Sequence, residues 1–127
     1  KSCCGGDVHM MPSRPISKSL LIHSATHHFG KPSETIDGVI TYPNQQSLGY
    51  IRIEPSDKIL TYVSTTGENT EVRLNAEMFF DCVHSTPSSV VFAPGDLVVF
   101  NNTKYRVAGI TYCYGRTSLH HLEVGLL

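Results

Sequence analysis

With 127 residues, 40% of them apolar and 17% charged, and a net charge of −1, the chain is sized for one domain that buries roughly two thirds of its unfolded surface. This balance excludes a disordered polyelectrolyte and gives no overall attraction to nucleic acid. No apolar run exceeds four residues, as in Val90-Val91-Phe92-Ala93 and Leu97-Val98-Val99-Phe100, far short of the ~18 residues of a membrane-spanning helix, so the expectation is a soluble protein.

Residues 1–14 read as outside the fold: a flexible amino-terminal arm, or a processed or appended segment. Cys3 and Cys4 stand there in polar, glycine-containing sequence, and Met10-Met11 offers a natural start. Residues 15–127 are expected to form a single β-barrel domain. Apolar and β-branched clusters predict strands at 20–24, 39–42, 48–53, 59–63, 72–74, 78–83, 97–100, 105–112 and 119–124. Turn sequences such as Gly30-Lys31-Pro32-Ser33, Thr66-Gly67-Glu68-Asn69 and Tyr114-Gly115-Arg116 separate them. Short strands at this spacing favour an all-β fold, a small antiparallel β-barrel with long loops. At most one short helix is expected, at 74–80, where Asn75-Ala76-Glu77 is poor strand sequence.

Alternation assigns faces. In Tyr50-Ile51-Arg52-Ile53-Glu54 the two isoleucines share the core side, leaving Arg52 and Glu54 for solvent or a partner. In residues 104–110 the same rule groups Tyr105, Val107 and Gly109 opposite Arg106, Ala108 and Ile110. The run 107–112 is apolar on both faces, as in a central strand or one entering an interface. The stretch Phe92 to Val107 reads as a hairpin: Pro94-Gly95-Asp96 turns the chain into its first arm, and Asn101-Asn102 tolerates the positive φ of the reversal.

Chemical motifs are weak. The four cysteines read as reduced, partly buried thiols rather than a disulfide scaffold. Cys82 and His84 would share one face of a strand, and His23, His27-His28 and His120-His121 add nitrogen donors. Adjacent histidines on a strand point to opposite faces, however, and no CxxC or HExxH spacing is present, so no metal or other cofactor is expected. Asp81, His84 and Ser85 have the residue types of a hydrolase constellation but lack an oxyanion-forming motif, so no catalytic residues and no enzyme activity are expected. Tyr50, Arg52, Tyr62, Tyr105, Arg106, Tyr112 and Arg116 would supply stacking and phosphate contacts in the alternative reading, a small nucleic-acid-binding β-barrel module. Tyrosines in small β-proteins more often pack at a barrel rim with their hydroxyls wet.

Four ordered blocks add what spacing cannot supply. These are Pro15-Ile16-Ser17-Lys18-Ser19-Leu20-Leu21-Ile22-His23-Ser24, Ile51-Arg52-Ile53-Glu54-Pro55-Ser56, Leu74-Asn75-Ala76-Glu77-Met78-Phe79-Phe80-Asp81-Cys82-Val83-His84-Ser85 and Leu119-His120-His121-Leu122-Glu123-Val124-Gly125-Leu126. Together they resemble a family of tailed-bacteriophage minor capsid proteins, similar to the head-completion or stopper proteins of the phage neck. The stretch 42–49 and the first ten residues have no counterpart in that pattern.

The resemblance implies a structural virion protein at the head–tail interface, present in the host cytoplasm during assembly. Its implied partners are other copies of itself in a ring, of about six or twelve subunits, with the portal or adaptor on the head side and the tail terminator or tail tube on the other. Packaged DNA would be touched transiently, and no membrane is involved. The polar segment Thr65, Thr66, Gly67, Glu68, Asn69, Thr70 is the candidate channel-closing loop, and Arg52, Glu54, Arg106 and Arg116 are the candidate partner-facing residues.

Overall fold

The computed structural model describes residues 15–63, 66–116 and 118–127; the expectations for residues 1–14 and for Thr65 lie outside the described residues. Among the described residues ten strands form, β1 (His23–Phe29), β2 (Ser33–Glu34), β3 (Ile40–Thr41), β4 (Asn44–Pro55), β5 (Ile59–Val63), β6 (Asn69–Arg73), β7 (Ala76–Asp81), β8 (Leu97–Phe100), β9 (Thr103–Tyr114) and β10 (Leu119–Leu126). Six close into an antiparallel barrel in the order β1-β4-β7-β10-β9-β8, with β1 paired back onto β8. Closure leaves these strands no bare edge. Two hairpins, β2–β3 and β5–β6, are inserted in the connections from β1 to β4 and from β4 to β7.

Side-chain alternation drives the closure. Ile51 and Ile53 from β4, Met78 and Phe80 from β7, Val98 from β8, Val107 from β9 and Leu122, Val124 and Leu126 from β10 fill the interior. Arg52 and Glu54 lie on the outside as expected and pair with each other. The segment 74–80 is a strand and not a helix: burying Ala76, Met78 and Phe80 on one face outweighs the weak local propensity of Asn75-Ala76-Glu77. The helical content of the described residues is a 3-10 turn at Lys18–Leu20, so the first barrel strand begins later than predicted, at His23. Residues 44–49 likewise open β4, with Asn44 to Leu48 paired to β1.

The hairpin β8–β9 turns as its sequence demands. Asn101 and Asn102 have φ of 50° and 62°, the mirror-image turn whose twist matches the two arms. Three bulges re-aim side chains elsewhere. Tyr50, at φ 53°, lies where the β1–β4 register slips, so Leu48 and Ile51 both face inward although they are three residues apart. Ala108 is unpaired between Val107 and Gly109, which turns Ile110 to the core side and breaks the expected grouping of Tyr105, Val107 and Gly109. His120 is bulged in the same ladder.

Outside the barrel, the base of the β5–β6 hairpin is seated on glycine. A Cβ added at Gly125 would lie 3.0 Å from Leu60 Cδ1 and 3.0 Å from both Leu74 methyl carbons. A side chain there would be tight against both leucines, whose methyl groups must give by a few tenths of an ångström to admit it. From this footing β5 and β6 pair in register from Ile59↔Arg73 to Val63↔Asn69.

Candidate functional site

The proposed channel loop is the tip of this inserted hairpin. Thr66, Gly67 and Glu68 make the turn, with Gly67 at φ 87°, while Asn69 and Thr70 already belong to β6. Thr66, Gly67, Glu68 and Asn69 are exposed, and Glu68 brings an anionic group to the tip. The hairpin is a two-stranded arm with a polar end, seated against the barrel at Gly125 by Leu60 and Leu74.

The four candidate partner-facing residues do not form one patch. Arg52 and Glu54 sit in β4, where Arg52 Nε donates to Glu54 Oε2 and Nη1 donates to the Leu20 carbonyl at 3.2 Å. Arg106 is exposed on β9, its backbone exchanging two hydrogen bonds with Leu127. Arg116 is exposed in the β9–β10 turn. Tyr105 packs against the core, and exposed Tyr112 lies in register with Leu122, Phe80 and Ile51 on that same side, opposite Arg52. Arg52 therefore shares no face with these two tyrosines.

The Asp81, His84 and Ser85 constellation is a structural clasp. β7 ends at Asp81, so Cys82 and His84 lie in a turn and share no strand face. Fully buried Asp81 accepts the Val83 and His84 amides on Oδ2 (3.0 and 2.8 Å) and the Ile16 amide on Oδ1 (2.9 Å). His84 Nδ1 meets the Ile16 carbonyl at 2.9 Å. Ser85 Oγ accepts the Asp81 amide at 2.8 Å and donates to the Tyr50 carbonyl. Its hydroxyl proton is thus committed to backbone rather than poised against a base. The clasp ties Ile16 to the end of β7 and to the β4 bulge.

His27 is a core residue. Its Nε2 lies 2.8 Å from Asp96 Oδ2 and its Nδ1 3.0 Å from Gln46 Nε2, with Phe29 and Phe92 on its faces at 4.8 and 4.7 Å. Asp96 also accepts the Ala93 amide at 2.9 Å, which fixes the turn before β8. Beside this network lies an open cavity of about 420 Å³, walled by Phe29, Gln46, Val90, Val91 and Asp96.

The other doublet behaves differently. Because His120 is bulged, its Nδ1 comes within 2.7 Å of His121 Nδ1, against the expectation that neighbouring rings diverge. His121 Nε2 lies 3.1 Å from Glu123 Oε2. Lys58 Nζ stands 3.5 Å from Glu77 and 4.0 Å from Glu123. Cys113, paired with His121 across the β9–β10 ladder, is buried and disulfide-bonded, which corrects the expectation of reduced thiols throughout. No sequence signal announced this grouping, since it depends on cross-strand register and on one bulge.

Comparison with protein-family models, with curated proteins and with solved structures finds no match to this chain.

Proposed function

We propose that the chain is a structural subunit of a tailed-phage neck, a ring-forming connector that joins the DNA-filled head to the tail and helps close the DNA channel. The observation that carries this reading is the placement of the four resembling blocks. Three of them lie on β4, β7 and β10, which are neighbours in the barrel, and the first is bound by Ile16 to Asp81 and His84 in the third. Blocks scattered along the chain therefore make one continuous wall, as expected if they are inherited together as a fold. Within this reading the barrel is a rigid body, the β5–β6 arm supplies the channel loop, and the protein performs no catalysis. Ring closure needs a heterologous contact between two different patches, for which the Arg52–Glu54 pair on β4, Arg106 on β9 and Arg116 in the β9–β10 turn are separate polar candidates.

Cryo-electron microscopy of particles containing the chain tests the proposal. Density for this barrel in a ring between portal and tail is the expected result, and its absence from the neck overturns the reading. Shortening residues 66–69 to a two-residue turn is expected to release packaged DNA from otherwise intact particles; full retention refutes the loop assignment alone.

A further inference from the structure

We propose that Cys113, His121 and Glu123 form a zinc site that exists only when the Cys113 disulfide is reduced. This inference is independent of the connector reading. The three side chains are brought together by the barrel itself: Cys113 and His121 are direct partners across β9 and β10, and Glu123 follows His121 on the same face. One donor atom from each lies within 4.8 Å of the others. Donors of a tetrahedral zinc stand roughly 3.3–3.8 Å apart, given bonds of about 2.0–2.3 Å. The His121 Nε2 to Glu123 Oε2 separation of 3.1 Å is already close to that spacing, so small side-chain rotations complete the set.

Sulfur, nitrogen and oxygen donors in one buried cluster suit zinc among the common divalent ions. The supporting shell is also present. With Nε2 on the metal, His121 Nδ1–H donates to His120 Nδ1 at 2.7 Å, the second hydrogen bond that orients a ligating imidazole. Lys58, half exposed, retains Glu77 as its partner when Glu123 turns to the ion. Water or the other ring nitrogen of His120 would complete the four ligands.

In the disulfide Cys113 offers no thiolate, so the bond and the metal exclude each other. A dithiol reductant transfers two electrons and two protons to the disulfide, leaving two protein thiols and its own cyclic disulfide. Zinc then replaces the Cys113 thiol proton, which leaves to solvent, and the Zn–S bond forms. The site is thereby a redox-gated clamp on the β9–β10 pair.

The test is titration of the full chain with Co²⁺ and with Zn²⁺, before and after reduction by a dithiol that is then removed anaerobically. About one Co²⁺ per reduced chain is expected, with thiolate-to-cobalt charge-transfer absorption that zinc abolishes and that the oxidised chain lacks. A chain carrying Cys3→Ser, Cys4→Ser and Cys82→Ser, with Cys113 its sole cysteine, is expected to bind without any reduction. Glu123→Gln and His121→Ala, scored only if circular dichroism shows folded chains, are expected to weaken binding at least about tenfold. Equal binding by the oxidised chain, no binding by the reduced chain, or a charge-transfer signal absent from the sole-cysteine chain overturns the proposal.

Discussion

The two histidine doublets stand on strands of the same barrel and do opposite things. In β1 the alternation of an unbroken strand separates them: His27 goes to the interior, fully buried, and His28 stays partly exposed beside Tyr42. In β10 a bulge cancels the alternation and the two rings meet at 2.7 Å. A doublet therefore carries no meaning by itself; the ladder register around it decides whether it is a core anchor or a cluster of donors.

The largest effect is expected where the first doublet is broken. His27→Ala removes the partner of buried Asp96 and empties space between Phe29 and Phe92. It should cost about 3 kcal/mol in urea unfolding, most of it from a buried carboxylate that loses the imidazole and keeps the Ala93 amide. In a double-mutant cycle, Asp96→Ala on that background should cost much less than it does alone. At the second doublet, His120→Ala removes one half-buried hydrogen bond from His121, and about 1 kcal/mol in the same measurement is expected. Smallest is His28→Ala, which touches only an outward ring and should stay within about 0.5 kcal/mol. Equal costs for His27→Ala and His28→Ala would erase the distinction between core and surface drawn here.

Much of the barrel was legible in the residues because its signals are local. Ile51 and Ile53 alternate against charges, and Asn101-Asn102 can hardly sit anywhere except at a tight reversal, so β4, β8 and β9 follow directly. β1 was harder to read, since His-Ser-Ala-Thr-His-His-Phe is polar and His27 is buried only with partners far along the chain, Gln46 and Asp96, the latter 69 positions away. The residues of the candidate loop announced a turn, but its place at the end of an inserted arm follows from pairing of β5 with β6 and from the room left by Gly125. The donor cluster was invisible for a physical reason. A bulge changes register without requiring a distinctive residue, and Cys113 meets His121 only after β9 and β10 have paired.

The seam between β1 and β8 is the thinnest part of the barrel. Three residue pairs join these strands, Thr26↔Val99, His27↔Val98 and His28↔Leu97, against seven between β9 and β10. Partners there are some seventy positions apart in the chain, so this is the last ladder a folding chain can complete and the first it loses to thermal fluctuation. When it parts, the cylinder becomes an open six-stranded sheet with two bare borders, each able to capture an extended segment of another molecule. His27, stapled to Asp96 across that line, thereby sets how often the protein exposes its most adhesive surface.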